Sequence, residues 1–490
     1  MPRRGIVAAL AATLALAAAA ALLLRPDRAL RVATGFVAHV VCSKSFVSGF
    51  DPQVVFAETT EREGVRILRP LLRFHVDRNA GIVDSSILGL FESRAAFHDG
   101  LGCVMLFDGV EPYVLRSDLQ AVKAAKAPPL LPEIAGEAVV EPSDPALKAM
   151  LDHAFAEPET PPFRRTKAVV VVRDGRIIAE RYASGIGAHT PLMGFSLTKS
   201  VVSALIGIMT QQGLTSPSIP APIAEWRSAS DPRREIEVEH LLRMTTGLDL
   251  DETNSGFDAS SRMLLLHNDM AAFAVKARPI APPGTRWAYS SPSTQLLARI
   301  IREATGGPEQ SLAYAWRELF NPLGMRDVTL EFDGAGTLQA STYMFASARD
   351  WARFGLLYLN DGVVGGNRIL HEDWVDFSAA ATLDTDYGAG FWTNRTEHGL
   401  APLRARHPAR CVLCLGRSRP AHRHHSLAAH GGGAARRFRR SHRRHAWART
   451  TGQGSDRGDA ELDVTSEDQT PWLDQARFTT PGSEDHRPTS

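Results

Sequence analysis

Residues 195–213, which read FSLTKSVVSALIGIMTQQG, are apolar on nearly every side when placed on a helix. A helix without a polar face has to be enclosed by other elements of the fold. Gly213, at the end of the segment, is a typical C-terminal stop. The segment therefore predicts a buried helix, and 490 residues, 44% of them hydrophobic, are enough to build a large core around it.

Ser196 and Lys199 stand three residues apart at the start of this segment, so a helix places both side chains on one side. A serine hydroxyl is a weak nucleophile that needs a base, and a buried lysine can lose its proton whereas arginine stays charged. Only seven of the 55 basic residues are lysines, so arginine is the usual cation of this chain and a lysine at this position is an exception. The pair predicts a nucleophile and its base. The simpler interpretation is that Ser196 only caps the helix.

Strand-like segments lie at both ends of the central region, and helix-like segments lie between them. KAVVVVRDGRIIAERY, from Lys167, contains two β-rich runs around Asp174-Gly175, which is a strong hairpin signal. Helical patterns follow in VEHLLRMTTGL, in residues 294–304 and in SARDWARFGLLYLNDG. This order indicates an α+β or α/β architecture.

Six motifs occur in order and together resemble the class C β-lactamase-related serine hydrolases: FSLTKS, VEHLLRMTTGL, PPGTRWAYSS, NPLGM, ASARDWARFGLLYLNDG and YGAGFW. This group contains the 6-aminohexanoate-dimer hydrolases and related esterases. The resemblance covers about residues 167–392, and CSKSFVSGFDP near Cys42 is similar to the N-terminal segment of anchored members. It implies an α+β fold of the β-lactamase and transpeptidase type, with an antiparallel sheet flanked by helices and a helical subdomain.

The resemblance also implies roles for single residues. Ser196 is the expected nucleophile, Lys199 the general base, and Tyr289 the hydroxyl that relays a proton toward the leaving group. On its own sequence context, Tyr289 fits a packing aromatic better. Ser291 stands where the family often has an asparagine that helps hold β-lactams, so we expect Ser291 at the substrate and an ester or small amide as that substrate.

No metal or organic cofactor is implied, and a formal net charge of +1 gives no whole-molecule case for a nucleic-acid partner. Two other functions stay open at this point. One is a catalytically dead binding or cell-wall-associated protein of the same fold. The other is a D-alanyl peptidase or a β-lactamase.

The N-terminus has a positive flank, Arg3-Arg4, followed by an uncharged run over residues 5–24. That run is long enough to span a bilayer, and a cleaved signal peptide is the alternative. We expect residues 1–25 to export the chain and to anchor it in the bacterial inner membrane, with the catalytic domain in the periplasm. Cys42 and Cys103 can form a disulfide there, although two buried thiols fit equally well. Residues 26–135 are expected to be an extension and linker, and residues 136–400 the hydrolase domain.

Residues 401–450 contain 13 arginines and seven histidines, with no lysine, aspartate or glutamate, and show no strand or helix period. The strand with Lys-Thr-Gly or Gly-x-x-Gly-Gln that the resemblance requires after YGAGFW is missing. An arginine-rich nucleic-acid arm is one interpretation, but export argues against it. A metal site is another, but the spacing of its candidate ligands matches no closed zinc site; these are Cys411, Cys414, His422, His424, His425 and His430.

A shift of reading frame explains this stretch better. Synonymous codons for residues 411–441, read one base later, permit a sequence that contains Gly-Ala-Ala-Gly-Gln followed by two β-rich runs. We therefore expect the shift between Asn394 and Arg406, with residues 401–490 forming a disordered, non-native tail.

Overall fold

The computed structural model describes residues 25–62, 64–114, 118–124, 127–160, 163–253, 255–393, 412–418 and 423–428. Its helices are α1 (Pro26–Phe46), α2 (Pro52–Thr60), α3 (Leu119–Lys123), α4 (Pro145–Phe155), α5 (Leu197–Gln211), α6 (Val238–Leu242), α7 (Ala259–Leu266), α8 (Met270–Val275), α9 (Ser291–Thr305), α10 (Pro308–Ala315), α11 (Asn321–Leu323), α12 (Ala348–Leu359) and α13 (Trp374–Ala379). Its strands are β1 (Leu72–Asp77), β2 (Ile82–Ile87), β3 (Leu90–His98), β4 (Gly102–Leu106), β5 (Ala168–Arg173), β6 (Arg176–Tyr182), β7 (Leu192–Met193), β8 (Thr329–Leu330), β9 (Met344–Ala346), β10 (Val363–Val364), β11 (Asn367–Arg368), β12 (Trp392–Thr393), β13 (Val412–Ser418) and β14 (Arg423–Ala428).

The N-terminal extension contains a four-stranded sheet with a helix packed on it. Strands β1, β2, β3 and β4 form an antiparallel sheet in that order, and α1 packs across it. Cys42 of α1 and Cys103 of β4 are joined by a disulfide bond, with Cα atoms 6.1 Å apart. Apolar side chains from both layers make the core of the unit, among them Val37, Val41, Val55, Leu72 and Val83.

A buried polar cluster attaches this unit to the rest of the protein. His39 Nε2 of α1 lies 3.0 Å from Glu331 Oε2, and both side chains are fully buried. Glu331 Oε1 accepts the backbone N–H of Cys103 at 2.8 Å. The His39 ring stacks on Tyr343, with ring centroids 4.0 Å apart. Because buried polar groups are costly to leave unpaired, these contacts fix α1 against the main domain.

The hairpin predicted around Asp174-Gly175 is confirmed as β5 and β6, which pair antiparallel. Asp174 and Gly175 have φ values of +51° and +78°, as a two-residue type I′ turn requires. The backbone of residues 134–140 runs beside β6, where Ile177 N–H donates to Ile134 O at 2.8 Å. Within the described part of the chain, no strand pairs with the outer edge of β5.

The buried helix predicted over residues 195–213 is confirmed as α5. Every residue from Leu197 to Thr210 is buried, and the chain leaves the helix axis through Gly213, at φ +70°. Gly207 permits a close approach of Trp374, because a Cβ on Gly207 would lie 2.6 Å from the indole ring. A helix with no polar face thus runs through the centre of the main core.

The chain from the end of YGAGFW onward forms strands that the sequence did not predict. β12, β13 and β14 make an antiparallel sheet, with Trp392 opposite Leu413. β13 and β14 lie within the stretch 401–490 that was expected to be a disordered tail and that shows no strand period in its side chains. Strand pairing uses backbone groups that every residue carries, so these strands form beside β12 without a matching side-chain pattern. The expected frame shift at residues 394–406 and the tail beyond residue 428 lie outside the described residues.

The apolar run expected to export or anchor the chain also lies outside the described residues, which begin at Arg25. Among the helices that the structure describes, none combines the length and apolarity needed to cross a bilayer. Helix α1 starts directly after the run, at Pro26.

Candidate active site

A tight turn before α5 sets the position of Ser196. Phe195 has a φ of +47°, in the left-handed region where residues other than glycine are strained. Gly194 donates its N–H to Met344 O at 2.8 Å, and a Cβ on Gly194 would lie 2.4 Å from the Trp351 ring. Ser196 follows this turn and precedes the first residue of α5, but its hydroxyl makes no capping hydrogen bond. The interpretation of Ser196 as a helix cap is therefore wrong.

Lys199 is the third residue of α5 and lies one turn after Ser196. Only 2% of it is exposed. Its Nζ donates hydrogen bonds to Ser196 Oγ at 3.1 Å, to Ser291 Oγ at 3.1 Å and to the Ser341 carbonyl at 3.0 Å. Burial lowers the pKa of Lys199, and the nearby carboxylate of Glu252 partly opposes that shift. A buried amine held against a serine hydroxyl is the arrangement that activation by a general base requires.

The start of α5 also favours negative charge beside Ser196. The N–H of Ser196 donates no hydrogen bond to the backbone of the described residues. Free N–H groups and the positive end of the helix dipole stabilise an oxyanion that forms nearby. A carbonyl attacked by Ser196 would therefore develop its charge next to a suitable donor.

Tyr289 belongs to an aromatic wall formed by Trp287, Tyr289, Tyr387 and Trp392. Its ring centroid lies 5.0 Å from Lys199 Nζ, which is a cation–π distance. The ring also stacks on Trp392 at 5.6 Å and meets Tyr387 edge-on at 5.7 Å. Trp287, Tyr289 and Trp392 are half-buried, so the wall keeps a surface open to solvent. The ring face of Tyr289 thus lies beside Lys199 Nζ. The same ring also packs against Trp392 and Tyr387.

Ser291 links the base to an acidic residue. It is the first residue of α9, which Ser290 caps by accepting the Ser293 N–H at 3.2 Å. Ser291 accepts a hydrogen bond from Lys199 and donates its own N–H to Glu252 Oε2 at 2.6 Å. The residue expected at the substrate therefore also belongs to the hydrogen-bond network of the base.

The YGAGFW motif packs on α5 through small residues. Ser200 Oγ donates to the Gly390 carbonyl at 2.7 Å, and Ser203 Oγ donates to the Ala389 carbonyl at 2.8 Å. A Cβ on Gly390 would lie only 2.7 Å from Ser203 Cβ, so no larger residue fits there. This close approach fixes Trp392, two residues later, beside Tyr289. β13, which pairs with β12, also contacts α5.

Two residues of the site were not predicted from the sequence. Glu252 lies in an irregular loop after TTGL, where no spacing connects it to Lys199. Ser341 contributes its backbone carbonyl, which leaves no signal in the side-chain pattern. No group of acidic, histidine and cysteine residues suited to a metal occurs in the part of the chain that the structure describes. The candidate ligands between Cys411 and His430 lie outside the residues whose side chains are described.

A family model described as Beta-lactamase matches residues 162–463, which is more than half of the 490 residues. The chain belongs to the β-lactamase family. It accordingly has the β-lactamase/transpeptidase-like α+β fold, and the resemblance inferred from its motifs is confirmed.

Relatives of this β-lactamase-family protein are distant. The 6-aminohexanoate-dimer hydrolase of Paenarthrobacter ureafaciens is 26% identical over 227 residues, which cover 43% of this chain and 56% of that protein. The chain thus spans little more than half the length of this curated relative. A Bacillus anthracis structure assigned as a 6-aminohexanoate-dimer hydrolase has a TM-score of 0.44 and 22% identity, covering 60% of this chain and 77% of that one. FmtA from Staphylococcus aureus has a TM-score of 0.41 and 12% identity, covering 58% and 82%.

Proposed function

We propose that this protein hydrolyses esters or small amides through an acyl-enzyme on Ser196. The observation that carries the proposal is the 3.1 Å contact between Lys199 Nζ and Ser196 Oγ, at a lysine that is 2% exposed. Because burial lowers the pKa of Lys199, the neutral amine is accessible as a base.

In the proposed reaction, neutral Lys199 takes the hydroxyl proton of Ser196 while Oγ bonds to the carbonyl carbon of the substrate. The negative charge moves to the carbonyl oxygen, and N–H groups at the start of α5 stabilise it. The C–O or C–N bond then breaks, and the proton passes from Lys199 through the Tyr289 hydroxyl to the leaving group. Water attacks the acyl carbon with help from the same base, which releases the acid and restores Ser196.

Two features support an ester or small amide as the substrate. Ser291 stands in place of the asparagine that the family uses for β-lactams, and its hydroxyl is already engaged by Lys199 at 3.1 Å. The open face of the aromatic wall suits an apolar acyl or leaving group. The curated relative is named for the 6-aminohexanoate dimer, which is an amide.

We also propose that the chain is exported and held at the inner membrane by residues 1–25, with the hydrolase domain in the periplasm. The disulfide between Cys42 and Cys103 supports this location, because such bonds persist in oxidising compartments.

Labelling with a fluorophosphonate tests the nucleophile. We expect the probe to acylate the wild-type protein, and Ser196→Ala to abolish both labelling and hydrolysis of p-nitrophenyl acetate. Ser228→Ala, which removes an exposed serine, is the matched control and should keep both. If Ser196→Ala still labels, or if the folded wild-type protein does not label, the proposal is wrong.

A catalytically dead binding protein of the same fold is the second candidate. It is favoured by the strand after YGAGFW, because β13 reads VLCLGRS and carries neither Lys-Thr-Gly nor Gly-x-x-Gly-Gln. We propose that the reading frame shifts before this strand, since the restored Gly-Ala-Ala-Gly-Gln would occupy residues 416–420, at the end of β13.

Sequencing the coding DNA across codons 390–415 tests the frame shift, and an uninterrupted frame contradicts it. Turnover of p-nitrophenyl acetate that appears only in the frame-restored protein would separate the two functions. If neither form turns over while both fold, the binding protein is the correct interpretation.

A further inference from the structure

One end of the extension sheet exposes large apolar side chains. Ile67, Leu71, Leu88 and Leu90 are exposed to 84%, 38%, 66% and 62%. Leu88 N–H donates to Leu71 O at 3.1 Å, and Leu90 pairs with Ile87 next to the turn that Leu88 begins. Ile67 lies on the single helical turn that leads to Leu71. These four side chains, Ile67, Leu71, Leu88 and Leu90, are called the apolar tip.

The apolar tip contains a residue that the local backbone does not favour. Leu88 and Gly89 connect β2 to β3 with φ values of +53° and +75°. Asparagine, aspartate or glycine is preferred at the first of these positions, because a leucine there is strained. An exposed leucine in that conformation costs both backbone strain and solubility, and binding to an apolar surface would offset this cost.

Three basic side chains lie beside the apolar tip in sequence, and the exposed Glu92 follows it on β3. Residues 64–73 and 86–91 contain Arg66, Arg69 and Arg73 and no acidic residue. All three arginines are exposed, and the hydrogen bonds of Arg73 go to the backbone carbonyls of Pro70 and Leu72. Arg69 has a loose ion pair at 3.7 Å to Glu61, just outside this surface. Exposed apolar side chains next to several arginines are typical of a surface that lies on anionic lipid.

The apolar tip is also close to the point where residues 1–24 join the described structure. Thr34 Oγ1 of α1 donates to Phe91 O at 2.7 Å, and Phe91 follows Leu90. Arg31, one turn earlier, donates to Glu92 O at 3.2 Å. Arg25 is only six residues before Arg31, about 9 Å along the helix. Arg25, the first residue that the structure describes, therefore lies near the apolar tip.

We propose that the apolar tip docks on an anionic lipid bilayer. Its leucines and Ile67 enter the boundary between headgroups and acyl chains, and Arg66, Arg69 and Arg73 contact lipid phosphates. This contact is separate from any insertion of residues 1–24, and it does not depend on hydrolysis at Ser196.

Solvent access at Leu88 tests the docking in the full-length chain. Cys411 and Cys414 are replaced by serine, and the environment-sensitive dye NBD is attached at Leu88→Cys. On vesicles of phosphatidylcholine with phosphatidylglycerol, we expect iodide quenching of the dye to fall by about threefold relative to solution. The same dye at Leu359→Cys, a position 39% exposed on α12, is the control and should keep its quenching.

The combined substitution Arg66→Gln, Arg69→Gln and Arg73→Gln should restore most of the quenching at position 88 on these vesicles. Arg173→Gln with Arg176→Gln, two exposed arginines of the β5–β6 hairpin, should not. Equal quenching at position 88 on vesicles and in solution overturns the proposal. Protection that appears without vesicles and grows with protein concentration overturns it too, because a second copy of the chain then covers the apolar tip.

Discussion

Glu252 accepts the backbone N–H of Ser291 at 2.6 Å, and Ser291 Oγ in turn accepts a hydrogen bond from Lys199. Ser291 thus links the Glu252 carboxylate to the Lys199 amine. Burial lowers the pKa of Lys199 and the charge of Glu252 raises it, so two opposing effects set the protonation of the base. Tyr289 also faces Lys199 Nζ, through its ring.

Glu252→Gln should move the acid limb of the pH–activity profile to lower pH. The substitution removes the charge that raises the pKa of Lys199, so the lysine becomes neutral, and active as a base, at a lower pH. The measurement is kcat/KM for p-nitrophenyl acetate across the pH range. Glu303→Gln, which removes a carboxylate three turns along α9, should leave the limb in place. An acid limb that stays put in Glu252→Gln would contradict this account of the base.

Lys199→Arg should lower kcat/KM by about 10³-fold, because arginine keeps the positive charge but cannot accept the proton of Ser196. Lys276→Arg, at an exposed lysine, is the matched control and should retain activity. Circular dichroism shows whether each variant is folded. A folded Lys199→Arg protein with near wild-type turnover would show that another residue acts as the base.

Glu331→Ala should destabilise the protein by about 3 kcal/mol, because the buried Cys103 N–H loses its acceptor and His39 loses its carboxylate partner. Urea denaturation followed by circular dichroism measures the change. Glu331→Gln keeps an acceptor for the Cys103 N–H and should lose less stability. If Glu331→Ala and Glu331→Gln are equally stable, the Glu331 side chain contributes no specific contact.

Removal of the disulfide by Cys42→Ala with Cys103→Ala should lower the free energy of unfolding by about 4 kcal/mol in the loop-entropy account. The two cysteines are separated by 61 residues, so the bond restricts a long loop in the unfolded chain. Denaturation with and without dithiothreitol checks this. The reductant should shift the wild-type midpoint and leave that of the double variant unchanged.

The parts of the fold that sequence could predict rest on short-range patterns. The φ requirements of Asp174 and Gly175 belong to a two-residue turn, so the β5–β6 hairpin follows from local chemistry. The all-round apolarity of residues 197–210 likewise predicts burial without knowledge of the partners. The three-residue spacing of Ser196 and Lys199 depends only on the helix that carries them.

What sequence could not predict depends on contacts between distant segments. The His39–Glu331 contact joins residues that are 292 positions apart. Glu252 reaches Ser291 only because a loop folds over the start of α9. β13 and β14 form through backbone pairing, which the arginine-rich side-chain pattern conceals.

Tyr343 connects the extension to the segment that holds Lys199. Its ring stacks on His39 of α1, and it stands two residues after Ser341, whose carbonyl holds the Lys199 amine. A chain without α1 would lose the stacking partner of that ring, two residues from the carbonyl that holds the base. The extension therefore packs against the segment that positions Lys199, and it is more than a spacer between the N-terminus and the main core.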